Sequence, residues 1–281
     1  MADLFRSMLF VPGTRRDRFE KALASGADAV ILDLEDGVDP RRKPDARDAV
    51  ADFIAGRPAA ASSVFVRVNA PASPWIDDDL ACVGRLDGIR GVVLPKVESP
   101  RQVEAAARHA PSRRVVPLLE TARGVLDAAA IAAADADVPA LLFGAEDLTA
   151  DLGIPRTVDG EELLFARSAI VLAAAAVRAD AVDAVFTDLA DSDRLRVDAE
   201  RARALGFRGK MAIHPAQVPV LNDVFAPTLD EIERARRLVA AFDAAGGEGV
   251  IRVDDQMIDA PVVRRARRVL ALAATSRRTR S

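Results

Sequence analysis

VVPLLETARGVLDAAAIAAADADVPALLFGAEDLTAD, residues 115–151, contains two strand-to-helix junctions in succession. Val115, Val116, Leu118 and Leu119 form a short apolar run that ends at Glu120. Ala140 to Phe143 form a second run, which ends at Gly144-Ala145-Glu146-Asp147. Both runs have the length of a buried strand, and an Ala-rich helical pattern from Val125 to Ala134 lies between them. If the strands are parallel neighbours, their ends lie roughly 5 Å apart. Two carboxylates that close, Glu120 and Asp147, repel unless they share a cation, share a proton or turn apart. Either one alone reads as a helix cap. Paired at equivalent positions of consecutive units, they favour a metal site, and oxygen ligands with open positions suit Mg²⁺.

The same alternation extends in both directions. Upstream runs are Ser7–Pro12, closed by Pro12-Gly13; Ala29–Leu34, entering the acidic cluster Asp33, Glu35 and Asp36; Val64–Val68, with Arg67 near its end; and Gly91–Pro95, ending at Lys96. Downstream runs are Ala181–Phe186 and Lys210–Ile213, the latter closing on His214-Pro215. Helical patterns fall between them: one capped by Thr14 or Asp17 and running to about Ala24, then Lys43–Ala55, one from near Asp77, one from Ser99-Pro100, then Glu161–Arg178 and Asp191–Leu205. Eight apolar runs alternating with helices predict parallel strands with helical crossovers. Eight such units fit a (β/α)8 barrel, the TIM barrel, over residues 1–225. The rival, a doubly wound open sheet, loses because no Gly-rich phosphate loop follows the first strand and because candidate site residues sit at many strand ends.

A closed barrel has no need of residues 226–281 for its core. They read as a C-terminal helical appendage: a charged helix Thr228–Ala245, a strand candidate Val250–Val253, and a last helix to about Thr275. That helix puts Val262, Val263, Ala266, Val269 and Leu270 on one apolar face. The basic tail Ser276–Ser281 reads as disordered. A neighbouring subunit is the expected seat of the appendage.

Composition narrows the function classes. The chain is 50% hydrophobic and 29% charged with a formal net charge of −4, which gives no electrostatic reason to expect nucleic acid or an anionic membrane. Cys82 is the only cysteine, which excludes an internal disulfide framework and a cysteine metal site and fits a cytoplasmic location. The first residues lack the apolar core of a signal peptide, and Ala169–Val177 is too short to span a bilayer.

LFVPG with downstream FEKA, then DLEDGV, VRVN, LPKVES, LLETARG, FGAEDL, AIHPAQV and MIDAP, in this order from Arg6 to about Leu270, resemble the citrate lyase β-subunit-like branch of the HpcH/HpaI aldolase and citrate lyase superfamily. The resemblance implies a trimeric or hexameric (β/α)8 barrel that makes or breaks a carbon–carbon bond next to a CoA thioester, with Mg²⁺. It assigns Glu120 and Asp147 as the magnesium ligands. Arg67 becomes the residue that holds substrate oxygens and stabilises the enolate. Phe10, Arg15 and Lys21 become CoA contacts, and the backbone of Gly144, Ala145 and Glu146 faces the substrate carboxylate. Asp259 of MIDAP becomes the catalytic aspartate that reaches a neighbouring subunit's site; read by position alone, it is a helix cap before Pro261. His214 reads as structural. The Asp33, Glu35, Asp36 cluster reads equally as a holder of metal-bound waters or as partner to arginines.

The activity so implied is cleavage, or formation, of a 3-hydroxy-3-carboxyacyl-CoA such as malyl-, citramalyl- or citryl-CoA, giving an acyl-CoA and an oxo acid. The rivals are a metal aldolase acting on free oxo acids without CoA, a citrate lyase subunit active only with an acyl-carrier protein, and a barrel that binds without chemistry. The set Arg67, Glu120, Asp147 and Asp259 argues against the last.

Overall fold

A computed structural model describes residues 4–56, 63–109, 114–247 and 249–278. Eight parallel strands close into a barrel in sequence order: β1 (Ser7–Pro12), β2 (Ala29–Asp33), β3 (Val64–Arg67), β4 (Gly91–Leu94), β5 (Arg114–Leu119), β6 (Ala140–Phe143), β7 (Asp180–Asp183) and β8 (Gly209–Ala212). Closure is made by β1 against β8, where Ser7, Met8 and Leu9 pair with Lys210, Met211 and Ala212. The strands are buried on both faces, as parallel strands covered by helices must be.

The outer layer comprises α1 (Phe19–Leu23), α2 (Lys43–Ala55), α3 (Ile76–Gly84), α4 (Pro100–His109), α5 (Ala122–Leu126), α6 (Ala128–Ala132), α7 (Ala145–Leu152), α8 (Leu164–Ala176), α9 (Ser192–Leu205) and α10 (Gln217–Val224). Their ends follow local chemistry. Asp191 caps α9 by accepting from the Arg194 N–H at 2.9 Å, and Gly206 closes it with a left-handed φ of 114°.

Side chains alternate in and out along each strand, so every second residue shares the barrel interior. Met8, Ala29, Ile31, Phe65, Val93, Val116, Leu118, Ala140, Leu142, Val182 and Met211 form that core. One more step of two along the same strands gives Phe10, Asp33, Arg67, Glu120 and Gly144. The polar site is thus the uppermost interior layer of the barrel, set at the carboxyl ends of the strands.

The chain divides into two compact units, Phe5–Asn222 and a second from Asp223 onward that includes Leu4. The division falls within α10. The second unit holds α11 (Leu229–Ala244), a hairpin of β9 (Ile251–Val253) and β10 (Gln256–Ile258), and α12 (Ala260–Arg278). It has its own core of Ala235, Leu238, Phe242, Ile258, Val263 and Ala266, flanked by Val262, Val269 and Leu270. Thr228 and Glu231 form a reciprocal capping box at the start of α11.

Several expected boundaries are corrected. Neither Thr14 nor Asp17 caps the first helix; a 3-10 turn at Arg16–Arg18 leads into α1, and Asp17 pairs with Arg15 instead. The helix expected over Val125–Ala134 is two short ones, α5 and α6, meeting at Asp127, whose carboxylate is held by Arg123. β7 stops at Asp183, short of the expected Phe186. The strand candidate Val250–Val253 has a partner, β10, that the expectation omitted. The last helix runs to Arg278, past Thr275, and of the expected disordered tail residues 279–281 lie outside the described residues. Among the described residues no helix is long and apolar enough to cross a membrane.

Candidate active site

A cavity of about 380 Å³ opens over the carboxyl ends of the strands, lined among others by Phe10, Arg67, Glu120, Gly144, Glu146 and Asp147. Glu120 follows β5 directly and is 1% exposed. Its Oε1 accepts from the Lys96 backbone N–H at 2.9 Å. On its other side stands Gly144, where any Cβ would come within 2.4 Å of Glu120 Oε2. Glycine is therefore required at 144 for the carboxylate to lie where it does. Asp147 sits in the first turn of α7, and its Oδ1 lies 3.4 Å from Lys96 Nζ. The two carboxylates converge on one cavity and one lysine.

Burial pushes Glu120 up to about 8, and the negative charges of Asp147 and Glu35 add to the rise against Lys96 and Arg67. A pair in this state is short of positive charge. Among the described residues no three or more His, Cys, Asp or Glu side chains gather around a common point. Two oxygen ligands with the remaining positions left to water and substrate are what Mg²⁺ accepts, so these residues fit that ion.

Arg67 is buried and stacks over the Phe10 ring, its guanidinium carbon 4.7 Å from the centroid. Its Nε and one terminal nitrogen each donate to Asp33 at 2.7 Å, a bidentate pair. The other terminal nitrogen lies 2.9 Å from Glu35 Oε2. Burial opposes the charge on both Arg67 and Asp33, but their pairing overcomes it: Arg67 is raised, and Asp33 is held below the usual carboxylate range, helped by the Glu35 and Gly37 N–H groups. Glu35 is raised by burial despite Arg67 and Lys96. Of the two readings of the acidic cluster, pairing with basic side chains is what the contacts display. Asp33 and Glu35 hold Arg67, while Glu35 and Asp36 hold Lys96.

The remaining expected residues divide. Gly144 lines the cavity, but its N–H donates to the Leu119 carbonyl and offers nothing to a ligand. The donors there are the first-turn N–H groups of Ala145 and Glu146 on α7, which has no side-chain cap. Arg15 pairs with Asp17 on the surface and does not line the cavity; Lys21 is exposed on α1. The basic residue of this segment that does line it is Arg18, three residues after Arg15 on the 3-10 turn. His214 Nδ1 accepts from the Ala216 N–H, which fits the structural reading. Asp259 belongs to the second unit, where it caps α12 by accepting from the Val262 N–H at 3.2 Å.

Lys96 is the residue that sequence reasoning passed over. It lies two residues beyond β4, as Glu35 lies two beyond β2, and that shared offset was the available signal. A larger cleft of about 460 Å³ lies among Arg156, Arg167, Arg194 and Arg201. Each of these is paired, with Glu146, Asp183, Asp191 and Asp159 respectively, so it offers no uncompensated positive charge.

The chain as a whole is similar to known proteins. Residues 6–215 match the family model of the HpcH/HpaI aldolase/citrate lyase family. A citrate lyase subunit beta-like protein of Deinococcus radiodurans is 42% identical, covering 95% of this chain and 97% of that protein. The mitochondrial citramalyl-CoA lyase of Rattus norvegicus is 31% identical over 96% of this chain and 86% of its own. The crystal structure of protein CitE from Mycobacterium tuberculosis, in complex with magnesium, acetoacetate and coenzyme A, superposes with a TM-score of 0.83 at 39% identity, covering 98% of this chain and all of that one, 100%. The chain belongs to the HpcH/HpaI aldolase/citrate lyase family.

Proposed function

We propose that this protein is a Mg²⁺-dependent carbon–carbon lyase that cleaves, or forms, a 3-hydroxy-3-carboxyacyl-CoA thioester of the malyl-, citramalyl- or citryl-CoA type. The observation that carries the reading is the buried Glu120 beside Asp147 at the rim of one cavity with Arg67. Similarity to a citramalyl-CoA lyase and to a structure holding magnesium, acetoacetate and coenzyme A supports the substrate class.

Glu120 and Asp147 hold the ion, which when bound supplies Lewis-acid polarisation of substrate oxygens. The N–H groups of Ala145 and Glu146 at the start of α7 receive the substrate carboxylate. In cleavage a base takes the hydroxyl proton, the O–H electron pair becomes the new carbonyl bond as the bond between the α and β carbons breaks, and the oxo acid departs. The electron pair of the broken bond passes to the acyl-CoA as an enolate, which Arg67 helps to stabilise through the guanidinium N–H groups that Asp33 and Glu35 leave free; those two carboxylates fix the guanidinium so that it need not reorganise. Asp259 of a neighbouring subunit then gives its proton to the enolate carbon, or takes one in the condensing direction. Phe10 and Arg18 border the cavity where the thioester arm enters, and the half-buried Arg15, paired with Asp17, and the exposed Lys21 lie on the same segment for its phosphates.

The assembly is a trimer or hexamer in the cytoplasm, with residues 1–225 as the catalytic barrel and 226–281 serving the adjacent subunit. The independent core of the second unit and the buried free thiol of Cys82 support these readings. The test is a panel of CoA thioesters and free oxo acids, with and without Mg²⁺, read by release of free oxo acid. Mg²⁺-dependent release from at least one thioester is expected. Turnover of free hydroxy acids alone, or release unaffected by chelator, would overturn the reading.

A further inference from the structure

Lys96 holds a conformation that its side chain alone does not favour. Its φ is 51°, in the left-handed region that a lysine adopts only at some cost and that glycine adopts freely. Such backbone persists where the surroundings require it, and here four carboxylates do. The backbone N–H donates to Glu120 Oε1 at 2.9 Å, while Nζ lies 2.6 Å from Glu35 Oε1, 3.2 Å from Asp36 Oδ2 and 3.4 Å from Asp147 Oδ1. Arg67 is committed to Asp33 and Glu35, and it is Lys96 that reaches Asp36 and Asp147.

We propose that Lys96 is a positioning residue and resident counter-cation: its ammonium keeps Asp147 gathered into the site before metal arrives, and yields that carboxylate to a divalent cation on binding. The Asp147 contact is the longest of the three, so it is the one that gives way. The 2.6 Å pair with Glu35 keeps the ammonium nearby, where it limits how tightly the ion is held. The left-handed backbone serves both tasks at once. It aims the N–H at Glu120 and sends the side chain across the cavity rim to the acids of the β2 loop.

This rests on Glu120 and Asp147 being metal ligands, and the experiment separates the two claims. Chelator-treated wild type, Lys96→Met, Lys96→Arg and Glu120→Gln are titrated with Mn²⁺ by calorimetry, without substrate, and melted with EDTA or with saturating Mn²⁺. Removing the ammonium takes away a repulsive charge a few ångströms from the ion, so Lys96→Met binds Mn²⁺ on the order of tenfold more tightly. Its melting temperature in EDTA falls, and the gain on adding Mn²⁺ exceeds that of wild type. Lys96→Arg, which keeps the charge, returns the affinity to within about threefold of wild type. If Lys96→Met folds only with Mn²⁺, the counter-cation role stands; if it fails to fold even then, or binds Mn²⁺ no more tightly than wild type, the proposal is overturned. Wild-type binding that Glu120→Gln abolishes while Lys96→Met leaves it unchanged sinks the Lys96 role alone. No Mn²⁺ binding by wild type sinks both claims.

Discussion

Glu120 is the group whose protonation couples this site to the stability of the fold. Its folded value of about 8 lies above the ordinary 4.5, so the native chain holds a proton here that the unfolded chain has released between those two pH values. More protons bound in the native state means that stability falls as pH rises through this window. The metal-free protein should therefore melt at progressively lower temperature from about pH 5 to pH 8, then level off as far as this group is concerned. Glu120→Gln should flatten that decline, and a bound divalent cation should offset it most at high pH. Melting curves at several pH values in EDTA check this; a decline that the variant does not change would assign it elsewhere. Glu120 and Asp147 were legible because each follows an apolar run of strand length. Lys96 was not, because its partners lie on the loops after β2 and β5 and on α7, and no local pattern announces pairing at such sequence distance. Arg18 was masked by Arg15, since a single cation suffices to satisfy a motif and only the 3-10 turn decides which of the two faces the cavity.

At the scale of elements, the β7–β8 side of the barrel is pinned by charge. Lys210 and Asp183 have fully buried side chains and meet at 2.6 Å; Arg167 of α8 spans Asp183 and Asp198, and Lys210 also reaches Asp198 at 2.6 Å. Two cations and two carboxylates balance, so the group is tolerated inside; removing one member leaves an uncompensated buried charge. Asp183→Ala should destabilise the chain by roughly 3–5 kcal/mol in urea unfolding, well above a surface change. A loss under about 1 kcal/mol would show that the network relaxes or admits water. β7 ends at Asp183, short of its apolar run, because an apolar run by itself does not mark where the ladder stops; the Asp183 side chain faces outward to Arg167 and Lys210, opposite to Val182 in the barrel interior. The β9–β10 hairpin escaped the reading for a different reason. Its two-residue turn is Asp254-Asp255, both left-handed with φ of 48° and 59°, where Asn-Gly would have marked it. Strands of three residues carry too little alternation to be seen.

For the whole molecule, closure of eight parallel strands was readable because repetition is itself the signal: each apolar run ends in polar punctuation, and a barrel is the arrangement that collects all those ends on one rim. What repetition cannot convey is the use of the second unit. Asp259 has a local task, capping α12, that would explain its presence in full. The proposed role in a neighbouring subunit makes a prediction that a cap does not. Asp259→Ala should retain Mn²⁺ binding while losing about a hundredfold or more of turnover, the scale of a lost general acid or base. Mixed and reassembled with Glu120→Gln, it should recover activity in hybrid oligomers, up to about a quarter of wild type if subunits exchange at random. No recovery in demonstrated hybrids would confine Asp259 to its own chain.

The claim beneath all of this is that Glu120 and Asp147 act together on one divalent ion. Calorimetric titration of Mn²⁺ into chelator-treated protein tests it most directly, comparing wild type with Glu120→Gln and Asp147→Asn. One ion bound per chain in wild type, with binding lost in each variant, is the predicted result. Undiminished binding in either variant would contradict it.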